Sequence, residues 1–435
     1  MKTIHSHAAG IDLGTREVLV SVPGQPVRKF SSFTEDFALL VQYLVENQIT
    51  TVAMEATGVY WIVLYEMIET AGLEVCVVNG AHARNVPGRT KSDVSDCQWL
   101  AQLHACGLLA PSFVPPEEIR VLRSYRRLRE DHIERAADAV RLMQKACDLM
   151  NVKLHTVVSQ LHGASGLRII DAILAGERNS YVLTELCDGQ ILKTKRTAVE
   201  KSLHGNWKSE QLFALGQARR TWQFYQDQIA ACDREIDLHL QKMGGDKPEP
   251  PPRTGPVKPV RHNAPQIEEL DEKMRRLTGG LDPTVIPGIT GRTFLQLVAE
   301  TGLDLGRWAT AGRFTSWLGL APRTHQSGRM RKTRGGRKKT EAGQIFRLLA
   351  QSLGRSKLPA LGGFYRRIAA RKGAPVAIVA TARKLAVLYY NLMRHGRAYV
   401  EQGLEKYEKA YEQSQLKHLQ KQATRFGFNL TPQPV

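Results

Sequence analysis

The stretch GIDLGTREVLVSV, residues 10–22, decides how the first hundred residues are read. Two apolar runs, IDLG and VLVSV, flank the turn-like TRE, and this pattern predicts a hairpin to which VRKFSSF (27–33) adds a third strand. Outward from it the periodicity changes. EDFALLVQYLVEN predicts an amphipathic helix, TTVAMEA a buried strand, VYWIVLYEMIETAG a second helix, LEVCVVN another strand, and a further helix opens at Asp93. Three antiparallel strands followed by alternating helices and strands, from Ile4 to about Leu109, is the order of an RNase H-like domain. Periodicity alone also admits other α/β folds.

The chain has 435 residues, enough for two or three domains with substantial cores. Lys and Arg number 61 against 42 Asp and Glu, a balance of +19, which predicts attraction to a polyanion, nucleic acid before a membrane surface. No apolar run reads as long enough to span a bilayer, and the N-terminus enters a strand without a signal peptide, so a cytoplasmic protein is expected. Six scattered cysteines without a C-x-x-C pair point to reduced core residues and away from a disulfide framework or a zinc site.

Beyond this first region (1–115), residues 116–243 read as helical. Ile133, Ala136, Val140, Met143, Cys147, Met150 and Leu154 keep a 3,4 spacing, as do Leu215, Ala218, Trp222, Tyr225, Ile229, Cys232 and Ile236. Such seams fit an antiparallel hairpin, a coiled-coil dimerisation arm or an ordinary bundle. The Pro-rich stretch 244–266 predicts an extended spacer that lets its flanks move. A second globular unit of mainly helical character follows over 267–400, and then a charged tail over 401–435.

Asp93 and Asp96 stand one turn apart in GRTKSDVSDCQWLAQL (88–103). Helix capping by Ser92 or Asp93 would explain them alone. Asp12 on the first strand and Glu55 at the end of the fourth change the balance, because in an RNase H-like fold these points converge. Converging carboxylates repel unless a cation neutralises them, and hard oxygen ligands suit Mg²⁺. Paired ions activate the attacking and leaving oxygens of a phosphodiester. In the C-terminal half, Arg329, Arg331, Lys332, Arg334, Arg337, Lys338 and Lys339 crowd a Gly-rich loop suited to phosphate contact without base readout. Ser327 and Gly328 stand at its head. Upstream, VIPGITGRTFLQLVAETG (285–302) has the pattern of a helix-hairpin-helix element, whose turn, with Gly288 and Gly291, offers N–H groups to phosphate; an ordinary helix connection competes with that reading.

Together GIDLG, AMEATGVYW, KSDVSDCQWLAQL, VIPGITGRTFLQLVAETG, RFTSWLGLAPRTHQSG and ARKLAVLYYNLMRHG make the chain resemble the DEDD transposases of the insertion-sequence one-ten family, serine recombinases guided by a bridge RNA. The resemblance covers roughly residues 5–110 and 268–400. It implies a RuvC-like, RNase H-fold domain holding Mg²⁺ through Asp12, Glu55, Asp93 and Asp96, a long helical or coiled-coil middle region, and a mainly α transposase domain with a nucleophilic serine, mapped to Ser327. It also implies donor and target DNA, a noncoding guide RNA and further copies of the chain, as dimer or tetramer, for partners, with no membrane. Two other readings use the same residues: a RuvC-like nuclease that hydrolyses DNA with water, and a non-catalytic nucleic-acid-binding protein.

Overall fold

The computed structural model describes residues 3–80, 92–253, 257, 259–260, 262–321, 323–327, 330–334, 340–356, 360–396, 409, 412–413 and 415–431; for 323–327, 330–334 and 360 it describes the backbone only. The chain divides between Val114 and Pro115 into two compact units.

The first unit is built on a five-stranded sheet. Strands β1 (Ala8–Leu13), β2 (Glu17–Ser21) and β3 (Arg28–Ser31) are antiparallel, as the hairpin pattern predicts. Strands β4 (Thr51–Glu55) and β5 (Glu74–Val78) run parallel to β1, giving the order β3-β2-β1-β4-β5. Helices α1 (Thr34–Glu46) and α2 (Trp61–Thr70) make the crossovers. Side chains alternate across a strand. Ala9, Ile11 and Leu13 of β1, with Val52 and Met54 of β4, accordingly share a core with Phe37, Leu40, Leu44, Leu64 and Ile68 of the two helices. Gly10, Asp12, Thr51 and Glu55 are left for the other face, where helix α3 (Asp93–Ala105) packs.

The second unit begins with α4 (Glu117–Leu149), followed by α5 (Leu154–Val157), α6 (Ala164–Leu174), α7 (Ser180–Glu185), α8 (Gly189–Ser202) and α9 (Ser209–Gly244). The two 3,4 seams lie on α4 and α9 and meet within one chain. His239 bonds to the Glu118 carbonyl, Arg129 pairs with Asp233, and His132 lies against Tyr225, so the pair is an antiparallel hairpin. Helices α5 to α8 and the hairpin's end share a core that includes Met143, Cys147, Ile169, Ile173, Leu183, Val199 and Leu215, forming a cap on the stalk.

The described residues of the Pro-rich stretch are mostly exposed, and hydrogen bonds tie the stretch to the helices. Arg275 donates to the Pro251 carbonyl (2.5 Å) and Lys247 to that of Leu277 (3.0 Å). Arg129 reaches the Asn263 carbonyl (3.2 Å), and the Gln266 N–H donates to Asp233 (3.0 Å). Proline's extended backbone leaves carbonyls unpaired, and cationic side chains take them up.

Helices α10 (Leu270–Leu277), α11 (Gly291–Thr301), α12 (Ala311–Trp317), α13 (Glu341–Gly354), α14 (Ala360–Lys372) and α15 (Ala374–His395) complete the unit, with a two-stranded ribbon of β6 (Arg323–Ser327) and β7 (Met330–Arg334). Contrary to the sequence expectation, one helix, α15, is long and apolar enough to cross a bilayer. Its Ala377, Thr381, Leu385, Tyr389 and Leu392 are buried, and Tyr389 packs on Phe314 and Phe346, so it serves as a core helix of this unit. All six cysteines are free.

Arg129 and Asp233, 2% and 1% exposed, form the most deeply buried ion pair described, at 2.5 Å. Replacing Arg129 by Ala strands a carboxylate in the interior, and a loss of about 3–5 kcal/mol is expected in urea unfolding. The double replacement Arg129→Met with Asp233→Leu should restore most of it; equal losses in the two variants would show that the charge pairing is not what matters.

Candidate active site

Asp12 and Glu55 occupy adjacent positions on neighbouring parallel strands, since Ile11 is in register with Met54. Both face α3. That helix lies unusually close to β1 because Gly10 has no side chain: a Cβ there would sit 2.3 Å from the Cys97 carbonyl oxygen and 2.4 Å from the Ala101 nitrogen. The start of α3 is set by Ser92, whose Oγ accepts from the Ser95 N–H (3.2 Å) while the Ser95 hydroxyl accepts from the Ser92 N–H (3.0 Å). This reciprocal cap leaves Asp93 and Asp96 in the first turn without a capping task. Their placement therefore needs another reason.

Electrostatics supplies one. Burial, and then the charges of Asp96, Asp93 and Glu55, push the Asp12 carboxyl up to about 6. The other three sequence-predicted acids thus all act on Asp12, from β4 and α3. Cys97, fully buried on α3, is pushed up to about 11 by burial and by Asp12 and Asp96, so its thiol stays protonated at neutral pH. The four acids do not yet form a ligand shell: among the described residues no group of three or more His, Cys, Asp or Glu is gathered closely enough to hold an ion. The donor set itself suits a hard divalent cation, being all carboxylate, with one member whose proton such a cation would displace.

Three positioning features escaped the sequence reading. Gly80 presses on the Glu55 carboxylate, since a Cβ there would lie 1.8 Å from Oε1. His104 on α3 bonds through Nε2 to the Thr51 hydroxyl of β4 (2.8 Å) and stacks on His5, and burial lowers it to about 4. This neutral pair fastens the two acid-bearing elements together. Gly10 was legible only as part of a strand. Gly14 closes the β1–β2 turn: its N–H donates to the Glu17 carbonyl (2.9 Å), and a Cβ there would lie 2.8 Å from that oxygen.

In the second unit Ser327 ends β6, in register with Met330 of β7, so the backbone on either side of the expected loop forms an antiparallel ribbon. A Gly-X pair between two β-rich runs is the signal that was passed over. Arg331, Lys332 and Arg334 lie on β7, paired with Gln326, His325 and Arg323. Arg329, Arg337, Lys338 and Lys339 fall outside the described residues. Gly288 adopts φ +87°, and Gly291 opens α11 behind the cap of Thr290. A Cβ on Gly291 would lie 2.8 Å from an Asp271 carboxylate oxygen, so an internal carboxylate crowds the position foreseen for phosphate.

Two family models match the chain. One, described as a transposase, of the DEDD type named for IS110, covers residues 9–151 and contains Asp12, Glu55, Asp93 and Asp96. The other, described as the transposase IS116/IS110/IS902 family, covers residues 284–365 and contains Gly288, Gly291 and Ser327. No curated protein matches. The fold and the two matches define a transposase, an enzyme class that cuts and rejoins DNA. The chain belongs to the IS110 family of transposases.

A carboxyl that binds its proton more tightly folded than unfolded favours the folded state most near pH 3.8, and that advantage disappears as pH rises to about 6. In metal-free protein the stability of wild type relative to Asp12→Asn should therefore fall across this interval and level off above it. Urea midpoints measured from pH 4 to 7.5 test this; a flat difference would mean that Asp12 titrates normally.

Proposed function

We propose that the chain is a recombinase of a mobile insertion sequence whose RuvC-like, RNase H-fold domain gathers Asp12, Glu55, Asp93 and Asp96 around Mg²⁺. The observation that carries the reading is the placement of Asp12, raised by burial and then by the charges of Asp96, Asp93 and Glu55. Ions bound there would polarise the attacked phosphodiester and its leaving oxygen. The chain's own work is to hold acid-bearing β1, β4 and α3 in a fixed relation, through the Gly10 contact and the His104–Thr51 bond.

Ser327 is the proposed nucleophile. Its Oγ bonds to a DNA phosphorus and loses its proton, while the bond from phosphorus to the departing deoxyribose oxygen breaks and that oxygen is protonated. Attack by a deoxyribose hydroxyl on the phosphoserine reverses the step and joins strands without external energy. The acids of one copy would work with the serine of another, in a dimer or tetramer. A noncoding guide RNA would select donor and target by base pairing. A protein of charge +19 with a basic hairpin suits backbone contact to both nucleic acids.

The test is a trapping assay with labelled DNA carrying the element's ends, the flanking noncoding RNA, Mg²⁺ and the full chain, resolved under denaturing conditions. Wild type should give a protein–DNA adduct that Ser327→Ala and Asp12→Ala each reduce on the order of a thousandfold or more. Cleavage without an adduct, persisting in Ser327→Ala, would identify a hydrolytic nuclease instead.

A further inference from the structure

The cap formed by α6, α7 and α8 has no part in the reading above. It contains three successive helices, the last two joined by a three-residue turn, Leu186 to Asp188. Leu183 of α7, Cys187 of the turn and Val199 of α8 are buried with Ile169, Ile170 and Ile173 of α6 in one core. The turn is fastened to α6 by Asp188, which accepts from Ser165 (2.7 Å) and Arg168 (2.5 Å). A short helix, a tight turn and a longer helix on a shared core is the construction of a helix-turn-helix.

The longer helix divides cleanly by face. Ile191, Leu192, Val199 and Ser202 point inward, at least half-buried. Lys195 bonds to the Val157 carbonyl and Arg196 pairs with Glu185. Helical spacing brings Gln190, Lys193, Thr194, Thr197 and Lys201 together on the opposite side, all exposed. That face has two ammonium groups, an amide and two hydroxyls, with Glu200 only at its flank. Among the described residues neither Lys193 nor Lys201 has a carboxylate partner. The Thr194 hydroxyl donates to the Gln190 carbonyl (2.8 Å), leaving its oxygen as an acceptor and its methyl outward.

We infer that α8 docks in the major groove of double-stranded DNA, with Lys193 and Lys201 on backbone phosphates and Gln190, Thr194 and Thr197 toward base edges. Charge complementarity names a polyanion, and groove shape chooses between duplexes. The major groove of B-DNA admits an α-helix, whereas that of A-form RNA is too deep and narrow for side chains to read. This site is separate from the acids, and it gives the protein a direct hold on DNA beside any base pairing.

Fluorescence anisotropy of the full chain without Mg²⁺ tests it, using a duplex of the element's end, a mixed-sequence DNA duplex and an RNA duplex of equal length. Lys193→Glu with Lys201→Glu, both surface positions, should weaken DNA binding about tenfold or more and lessen the salt slope by about two. RNA binding should stay within about twofold, because the A-form groove does not admit the helix. Omitting Mg²⁺ keeps the acids' chemistry out of the measurement, which separates this site from the proposed reaction. Gln190→Ala with Thr197→Ala should narrow the preference for the element's end. Unchanged DNA affinity and slope in a charge-reversed protein of normal thermal stability would overturn the docking, and so would an equal loss on RNA. Equal wild-type affinity for the two DNA duplexes would overturn the base contacts.

Discussion

The first unit depends on the contact between one missing side chain and one helix backbone. Gly10 lets α3 settle directly onto β1, with Cys97 and Ala101 occupying the space where any other residue would place its Cβ. Hydrophobic packing of Leu100 against Val78 and the His104–Thr51 bond hold the helix there. The cost of the arrangement falls on Asp12, whose carboxylate is half-buried and faces the charges of Asp96, Asp93 and Glu55. A fold that only needed to be stable would have no reason to accept it. The strain is local and electrostatic, and a divalent cation would relieve it while the backbone stayed in place.

The unit's topology was legible because short apolar runs bounded by turn residues mark its strands, and longer amphipathic runs its helices. Ile11, Val52 and Met54 enter one core, and the strand neighbours Asp12 and Glu55 must then face the other way. The acids were legible as types at strand and helix ends. Their supports were less so, since Gly10, Gly80 and Thr51 carry no chemistry that marks them before the helix is in place. The C-terminal reading was weaker for a related reason. Basic residues dominated the segment around Ser327 and concealed the strand pairing of β6 with β7, and a proline-rich composition gave no sign that Arg275 and Arg129 would take up the Pro251 and Asn263 carbonyls.

The helical region shows how one seam pattern serves several outcomes. The 3,4 spacing of α4 and α9 is satisfied within the chain, and the buried Arg129–Asp233 pair fixes their register while also reaching Asn263 and Gln266. Near the same end of α4, Glu300 of α11 receives Arg126 and Arg127, and Arg123 caps α11 through the Ala299 and Glu300 carbonyls. Burial and neighbouring arginines lower Arg123 to about 10 despite Glu300. Three guanidinium groups on one carboxylate make a junction that one neutralised partner would unbalance.

That junction also sets a length. From Arg126, where α4 is tied to α11, to Val140, where it enters the core of the cap, the helix rises about 21 Å. The stalk is a spacer of fixed pitch, and lengthening it by one heptad would carry the cap about 10 Å further from that junction while turning it only about 20° around the helix axis.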